Sequence, residues 1–171
     1  ARCVAVTPSD TAPALVALEA EMVISSKGKT RKIPAENFFI GPAIDITRMT
    51  ALKKNDILVE IRIPKKWAGA TYYFEKVADR QTWDFSLVNI AMVAKTSGGK
   101  VSEVRMACGG VQCTPRRMTN VEDLLKGETA GPEMEKLAKR VAAQGAKALN
   151  YNHFKIPLMG NLAARAVRSM A

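Results

Sequence analysis

The residues that could perform catalysis in this chain of 171 residues are few and far apart. His153 is the only histidine, so a serine or cysteine nucleophile activated by an imidazole would depend on this residue alone. It follows Asn152 in a stretch that predicts a loop between two helices, where a structural or solvated histidine is favoured. The sequence has neither a P-loop nor the Gly-x-Gly-x-x-Gly fingerprint of a dinucleotide fold. We therefore predict no catalytic residue in this chain.

The cysteines number three and match neither a zinc-binding spacing nor a paired disulfide framework. An odd number of cysteines suits a reducing compartment, so we expect a cytoplasmic location. Cys108 and Cys113 flank Gly109 and Gly110, where glycine favours a tight backbone turn. Free cysteine behaves mainly as a small buried hydrophobic residue, which favours structural thiols at both positions.

The chain carries a formal net charge of +10, from 26 basic and 16 acidic residues. The basic residues are densest at Lys27–Lys32, Lys53–Lys54, Lys65–Lys66 and Arg116–Arg117, each where a turn is predicted. Few aromatic residues are interleaved with them, as binding of single-stranded nucleic acid would require, so we predict no nucleic-acid partner. A basic face could equally meet an acidic partner subunit. No run of eighteen apolar residues is present, so no membrane span is predicted.

The hydrophobic pattern of the first part predicts short strands around one helix. The predicted elements are a strand end at Val4–Val6, a helix over Thr11–Ala20 capped by Ser9 or Asp10, a hairpin of Glu21–Ser26 and Thr30–Ile33, a helical turn over Pro34–Phe39 and a strand over Ile57–Ile63. In the last of these, Ile57, Val59, Ile61 and Ile63 alternate with polar residues and share one side. Pro64 ends this strand, and residues 65–69 are predicted to be a linker.

The remainder predicts strands followed by helices, which is an α+β arrangement. The predicted strands are Ala70–Val77, Leu87–Lys95 and Val101–Cys108, and the predicted helices are Asn120–Leu125 with Asn120 as its cap, Pro132–Gly145 and Pro157–Met170. We expect residues 70–111 to form an antiparallel sheet. The helices of residues 119–170 should then cover one of its faces.

Several longer segments, taken together and in order, resemble the flavin-binding medium subunit of the xanthine dehydrogenase (molybdenum hydroxylase) family. They are Val6–Ala20, Arg31–Phe39, Asp56–Pro64, Lys76–Arg80, Asp84–Ala91, Cys108–Val111 and Thr114–Arg116. The first of them, with Cys3 before it, looks closest to the 4-hydroxybenzoyl-CoA reductase and aldehyde oxidoreductase branches. The resemblance implies that residues 1–66 are the C-terminal part of an FAD-binding domain. Residues 69–171 would then be a domain like the C-terminal one of CO dehydrogenase flavoproteins, with a small antiparallel sheet packed on three helices.

The same resemblance implies a set of cofactor-binding residues. Asp10, Leu58 and Lys76 match flavin-contacting positions of the family. A carboxylate at Asp10 can accept hydrogen bonds from ribityl hydroxyls or cap the helix that follows it. Lys76 can place a cation near the flavin, and Leu58 can present backbone and an apolar flank. Cys3 resembles the last ligand of a [4Fe–4S] cluster, whose other thiolates would have to lie outside this chain, or it is a plain strand-end thiol.

The resemblance also implies a function. The chain would pass electrons between the molybdenum and iron–sulfur centres and FAD, as part of a molybdenum-containing hydroxylase. Its partners would be a large molybdopterin subunit, a small [2Fe–2S] subunit and an N-terminal flavin-binding segment. Because the Gly-rich loops that hold the FAD pyrophosphate would lie in that segment, FAD binding would be shared with it. The alternative is a structural assembly module of such a complex that binds no flavin of its own.

Overall fold

The first sheet forms around a tight hairpin. In the computed structural model, which describes residues 3–171, its strands are β1 (Glu21–Ser26), β2 (Lys29–Pro34) and β3 (Asp56–Arg62), in the antiparallel order β2-β1-β3. Lys27 and Gly28 both adopt positive φ angles, of 48° and 78°, as the turn between β1 and β2 requires. Helix α2 (Ala35–Phe38) follows β2 and buries Phe38 against the sheet. These elements confirm the predicted hairpin, helical turn and third strand.

The second sheet contains the longest strands of the chain. Its strands are β4 (Thr71–Val77), β5 (Val88–Ser97), β6 (Lys100–Gly109) and the short β7 (Arg116–Arg117), all antiparallel and in chain order. Every residue from Val88 to Ala94 is buried. A strand covered on both faces loses the alternation of apolar and polar residues, which accounts for its nearly continuous apolar sequence.

Helices cover this sheet on both faces. On one face lie α3 (Thr119–Leu125), α4 (Pro132–Ala142) and α5 (Lys155–Arg168), which share a core with the even-numbered residues of β5. Helices α4 and α5 approach closely at Gly160, where an added Cβ would lie 2.6 Å from the Lys139 carbonyl oxygen. On the opposite face lies α1 (Thr11–Ala17), whose Ala17 packs with Ala91 and Val93. The predicted α+β class, and the predicted sheet with its helices, are confirmed.

The structure corrects several local predictions. Val4–Val6 forms no strand, and α1 ends at Ala17 and not at Ala20. Asn120 does not cap α3; it lies inside the helix, where its Nδ2 donates to the Val141 carbonyl oxygen of α4. Arg116–Arg117 forms β7 and not a turn.

The predicted linker is packed into the molecule. Lys65–Trp67 forms a 3-10 helix, and the Trp67 side chain is only 2% exposed. Trp67 packs with Ala17 of α1 and with Ala91 and Val93 of β5, and its indole N–H donates to Glu19 Oε2 over 3.0 Å. The segment between the two sheets is therefore part of a shared core.

Candidate functional site

Helix α1 begins with a carboxylate that takes no part in capping it. Asp10 occupies the N-cap position, yet its side chain makes no capping hydrogen bond. The Ser9 hydroxyl takes that role instead, since it accepts a hydrogen bond from the Ala12 backbone N–H at 3.2 Å. The Asp10 carboxylate is thereby left free to interact with other groups.

Two neighbouring residues in a row across the second sheet contact this carboxylate, and a glycine continues the row. Lys76 of β4, Asn89 of β5 and Gly109 of β6 are cross-strand neighbours in the register of the sheet. The Lys76 ammonium lies 2.7 Å from Asp10 Oδ2, and Asn89 Nδ2 donates to Asp10 Oδ1 over 3.3 Å. The structure thus brings together Asp10 and Lys76, two of the three flavin-contacting residues that the sequence predicted.

A loop between β4 and β5 completes the surroundings of Lys76. The Lys76 ammonium also donates to the backbone carbonyl oxygen of Asp84. The Asp84 side chain accepts hydrogen bonds from the Arg80 guanidinium and from the backbone N–H groups of Arg80 and Phe85. The Arg80 contact holds the pKa of Asp84 below its usual value. The carboxylate of Asp84 therefore stays charged at neutral pH and shapes the loop that binds Lys76.

Asn89 was not singled out from the sequence, although it lies in a motif that carried the resemblance. Its side chain is fully buried, and its Oδ1 is the one buried side-chain polar atom of residues 3–171 without a hydrogen-bond partner. Gly109 leaves the room that it needs, because a Cβ there would lie 2.4 Å from Asn89 Oδ1 and 3.0 Å from Pro13 Cγ. The available signal was a lone amide in the otherwise apolar run of residues 88–94, since a buried polar side chain requires a specific partner.

Leu58 and Cys3 lie in other parts of the molecule. Leu58 is half-buried in β3, paired with Ile24 and packed against the core of the first sheet. Cys3 and Cys113 line a cavity of about 180 Å³ together. Burial, and then the nearby Cys3 thiol, raise the pKa of Cys113. Cys108 is fully buried, as predicted for a structural thiol, whereas Cys113 is only half-buried.

Within the described part of the chain, no three His, Cys, Asp or Glu side chains are placed together to hold a metal ion. Among residues 3–171, no helix has both the length and the apolar character needed to cross a bilayer.

Comparison with known proteins decides the family. Residues 72–170 match the CO dehydrogenase flavoprotein C-terminal domain, and residues 3–66 match the FAD binding domain in molybdopterin dehydrogenase. The chain belongs to the CO dehydrogenase flavoprotein family. The resemblance to the flavin-binding medium subunit of the xanthine dehydrogenase family is therefore confirmed.

Relatives of this flavoprotein include the carbon monoxide dehydrogenase medium chain of Hydrogenophaga pseudoflava. That protein is 34% identical over 136 residues, which cover 79% of this chain and 45% of the relative. The nicotine 6-hydroxylase medium subunit of Paenarthrobacter nicotinovorans is 32% identical over 137 residues, covering 80% of this chain and 44% of that protein. The chain thus spans about half the length of the curated relatives that it matches.

Solved structures agree on the fold. A carbon monoxide dehydrogenase structure from Hydrogenophaga pseudoflava superposes with a TM-score of 0.82 at 30% identity, over 95% of this chain and 56% of that one. Quinoline 2-oxidoreductase from Pseudomonas putida 86 gives a TM-score of 0.81 at 22% identity, over 94% and 55%, and shows a shared fold alone.

The residues at the Asp10 carboxylate suit the flavin that the family name implies. The Asp10 side chain is 39% exposed and the Lys76 side chain 25%, so both charged groups remain reachable from outside. A carboxylate accepts hydrogen bonds from hydroxyl groups, and an ammonium attracts an electron-rich ring. The donor and acceptor set of this flavoprotein is compatible with FAD.

Proposed function

We propose that this chain is part of the flavin subunit of a molybdenum-containing hydroxylase, in which it passes electrons between the molybdenum and iron–sulfur centres and FAD. The family supports this role, because relatives named as medium subunits include carbon monoxide dehydrogenase and nicotine 6-hydroxylase. FAD, when bound, supplies the exchange of one or two electrons. The chain supplies binding and electrostatics to the bound flavin.

The observation that carries this proposal is the ion pair between Asp10 and Lys76. Ser9 caps α1 in place of Asp10, so the carboxylate is not needed for the helix. A partly exposed ion pair contributes only about 0–1 kcal/mol to stability. A lysine held by both the Asp10 carboxylate and the Asp84 carbonyl oxygen is better explained by a binding role than by folding.

Each residue has a definite part in the proposed site. Asp10 accepts hydrogen bonds from the ribityl hydroxyls of the flavin, and Lys76 provides a positive charge beside the ring. Leu58, on the edge strand β3, offers its backbone and an apolar flank to the isoalloxazine. Asn89 orients Asp10 through its Nδ2 donor.

The proposal is tested by the FAD affinity of the complete subunit in its complex. We expect Asp10→Ala to weaken FAD binding by about 10- to 100-fold, the usual cost of losing a hydrogen bond to a charged group. Fluorescence titration of the deflavinated complex measures this. The matched control is Asp79→Ala, which removes an exposed carboxylate three residues after Lys76. Equal affinities in the two variants would favour the alternative function, an assembly module without its own flavin site.

One exposed apolar surface of the chain indicates where further protein would pack. The β3 surface comprises Ile57, Val59, Ile61 and Ile63, which are 44–65% exposed although they alternate as a core face would. An exposed apolar edge strand invites pairing or covering by further protein. In the relatives, about as many residues again lie outside the matched region. We therefore assign the β3 surface to an N-terminal flavin-binding segment, and other surfaces to the large molybdopterin and small [2Fe–2S] subunits.

A charge placed on the β3 surface tests this assignment. Val59→Arg in the complete subunit should weaken the packing of the N-terminal segment on β3, seen as faster limited proteolysis between that segment and the rest of the subunit. Thr30→Arg adds the same charge at an exposed polar position of β2 in the same sheet and should not. Equal proteolysis rates in Val59→Arg and Thr30→Arg would contradict the assignment.

Cys3 as a [4Fe–4S] ligand, and a cytoplasmic location, remain predictions. Cys113 lies beside Cys3 in the same cavity, so at least two of the four thiolates of such a cluster would have to come from beyond the described residues. Iron analysis of the complete complex with Cys3→Ser would test the ligand role.

A further inference from the structure

We propose that a cavity beside the start of α5 binds a small phosphomonoester. The cavity has a volume of about 220 Å³ and lies between the β6–β7 connection and the first turn of α5. It includes none of the residues assigned to the flavin. Its cationic lining residues are Arg116, Lys147 and Lys155, and its apolar lining residues include Val111, Ile156 and Met159.

The positive charge in this cavity has no opposing carboxylate. No Asp or Glu lines it, and none of the salt bridges among residues 3–171 involves Arg116, Lys147 or Lys155. The Lys155 ammonium donates to the Gly110 carbonyl oxygen at 2.8 Å, and the Arg116 guanidinium reaches the Gln144 carbonyl oxygen at 3.4 Å. Each cation keeps further N–H donors for a ligand. Elsewhere in the described chain, cations such as Arg117 and Arg168 are paired with glutamates.

The charge comes from side chains and not from the helix terminus. The backbone N–H groups of Lys155 and Ile156 already donate to the carbonyl oxygens of Asn152 and His153. Partial burial lowers the pKa of Lys155, as expected for an ammonium that lacks an anion. A bound anion would restore the charge balance at Lys155.

The lining selects the kind of anion. Three cations match a phosphate group, which carries a charge of about −1.5 to −2 and three acceptor oxygens at neutral pH. The partly exposed side chains of Val111 and Ile156 give a small apolar flank to the organic group that carries the phosphate. A volume of about 220 Å³ is below the range of roughly 300–1,000 Å³ that is usual for drug-sized ligands, which excludes a whole dinucleotide. A small phosphomonoester meets all three conditions.

Phenyl phosphate is the probe for this site. Isothermal titration of the purified protein should show saturable binding of one equivalent, tighter than the binding of inorganic phosphate because the phenyl ring adds apolar contact. Lys147→Gln and Arg116→Gln should each weaken the binding by about tenfold, since each removes a charge-assisted hydrogen bond. Lys147 is exposed, so its replacement leaves the fold intact even if the replacement of Arg116 does not.

The control variant is Lys100→Gln, which removes an exposed lysine at the opposite end of β6. It should bind phenyl phosphate as the unmodified protein does. The proposal is overturned if the unmodified protein binds no phenyl phosphate, or if Lys147→Gln and Lys100→Gln bind it equally. Benzoate binding as tightly as phenyl phosphate would overturn the assignment to phosphates.

Discussion

The Lys76 ammonium and the Asp10 carboxylate are 66 residues apart in the chain, and their Nζ and Oδ2 atoms lie 2.7 Å apart. Asp10 belongs to the region that matches the FAD binding domain, and Lys76 to the region that matches the C-terminal domain. The proposed flavin contacts are therefore assembled only when both regions are folded against each other. Neither region contains the pair by itself.

The first prediction concerns the flavin potential. A cation beside a flavin favours the form with more negative charge, so Lys76→Met in the complete complex should lower the midpoint potential. The Asp10 carboxylate offsets part of the effect. We therefore expect the midpoint potential to fall by roughly 20–40 mV, the equivalent of about 1–2 kcal/mol for a two-electron couple. Spectroelectrochemical titration measures the change. Lys65→Met removes an exposed lysine of the 3-10 helix and serves as control. Identical potentials in the two variants would refute the role of Lys76.

The second prediction concerns the close contact of Gly109 with Asn89. Gly109→Ala should lower the free energy of unfolding by about 1–3 kcal/mol, because the new Cβ overlaps Asn89 Oδ1. Urea denaturation measures the loss. The double variant Gly109→Ala with Asn89→Ala should lose less than the sum of the two single variants, since the overlapping atom is then absent. Gly131→Ala, with open space around the added Cβ, should change stability little. Additive losses in the double variant would argue against this contact.

The third prediction concerns the buried carboxylate of Glu122 in α3. It accepts hydrogen bonds from the Met106 backbone N–H at 2.8 Å and from Arg117 Nε at 2.7 Å. Its removal leaves the largely buried Arg117 guanidinium with a single carboxylate contact, from Glu36 at the surface. Glu122→Ala should therefore destabilise the fold by about 3 kcal/mol in thermal or urea unfolding. Asp123→Ala, at the exposed neighbouring position of the helix, should stay within about 0.5 kcal/mol of the unmodified protein.

The fourth prediction concerns thiol reactivity. Burial raises the pKa of Cys108 to about 12, and its Sγ lies 3.8 Å from Met159 Sδ in the core. An ordinary cysteine is largely thiolate at pH 9.5, whereas Cys108 should remain a protonated thiol. Iodoacetamide at pH 9.5 should therefore leave Cys108 unmodified in the native protein and label it in guanidinium chloride. Peptide mass spectrometry reads the outcome, with the half-buried Cys113 as internal reference. Labelling of Cys108 in the native protein to the same extent as in guanidinium chloride would show that this core opens readily.

Local patterns predicted most elements of the fold. Strand β1 has the bounds read from the sequence, and the turn at Gly28 was placed by its glycine and flanking lysines. The predicted strand at Val4–Val6 was wrong because the conformation of this segment depends on contacts with residues far away in the sequence. Residues 4–6 pair with no strand, and the backbone just after them is held by a hydrogen bond from the Thr7 N–H to the Gln112 carbonyl oxygen, 105 residues away.

The site was only partly predictable for the same reason. Asp10 and Lys76 came from a family resemblance, and their ion pair requires that α1 pack on the face of β5 that carries Asn89. The alternation of apolar and polar residues shows which residues share a face of a strand, but it does not show which helix covers that face. The same limit applies to β3, whose alternation predicted one shared side without showing that this side is exposed.

Trp67 has a consequence for protein engineering. Its indole lies in the core, bonded to Glu19, with the ammonium groups of Lys66 and Lys95 at 5.0 and 5.4 Å from the ring. A chimera that joined the N-terminal part of one relative to the C-terminal part of another at residues 65–69 would disrupt the contacts among α1, Trp67 and β5. Viable crossovers would have to carry α1 and β5 from the same parent. Recombination libraries should therefore lose folded members whenever these two elements differ in origin.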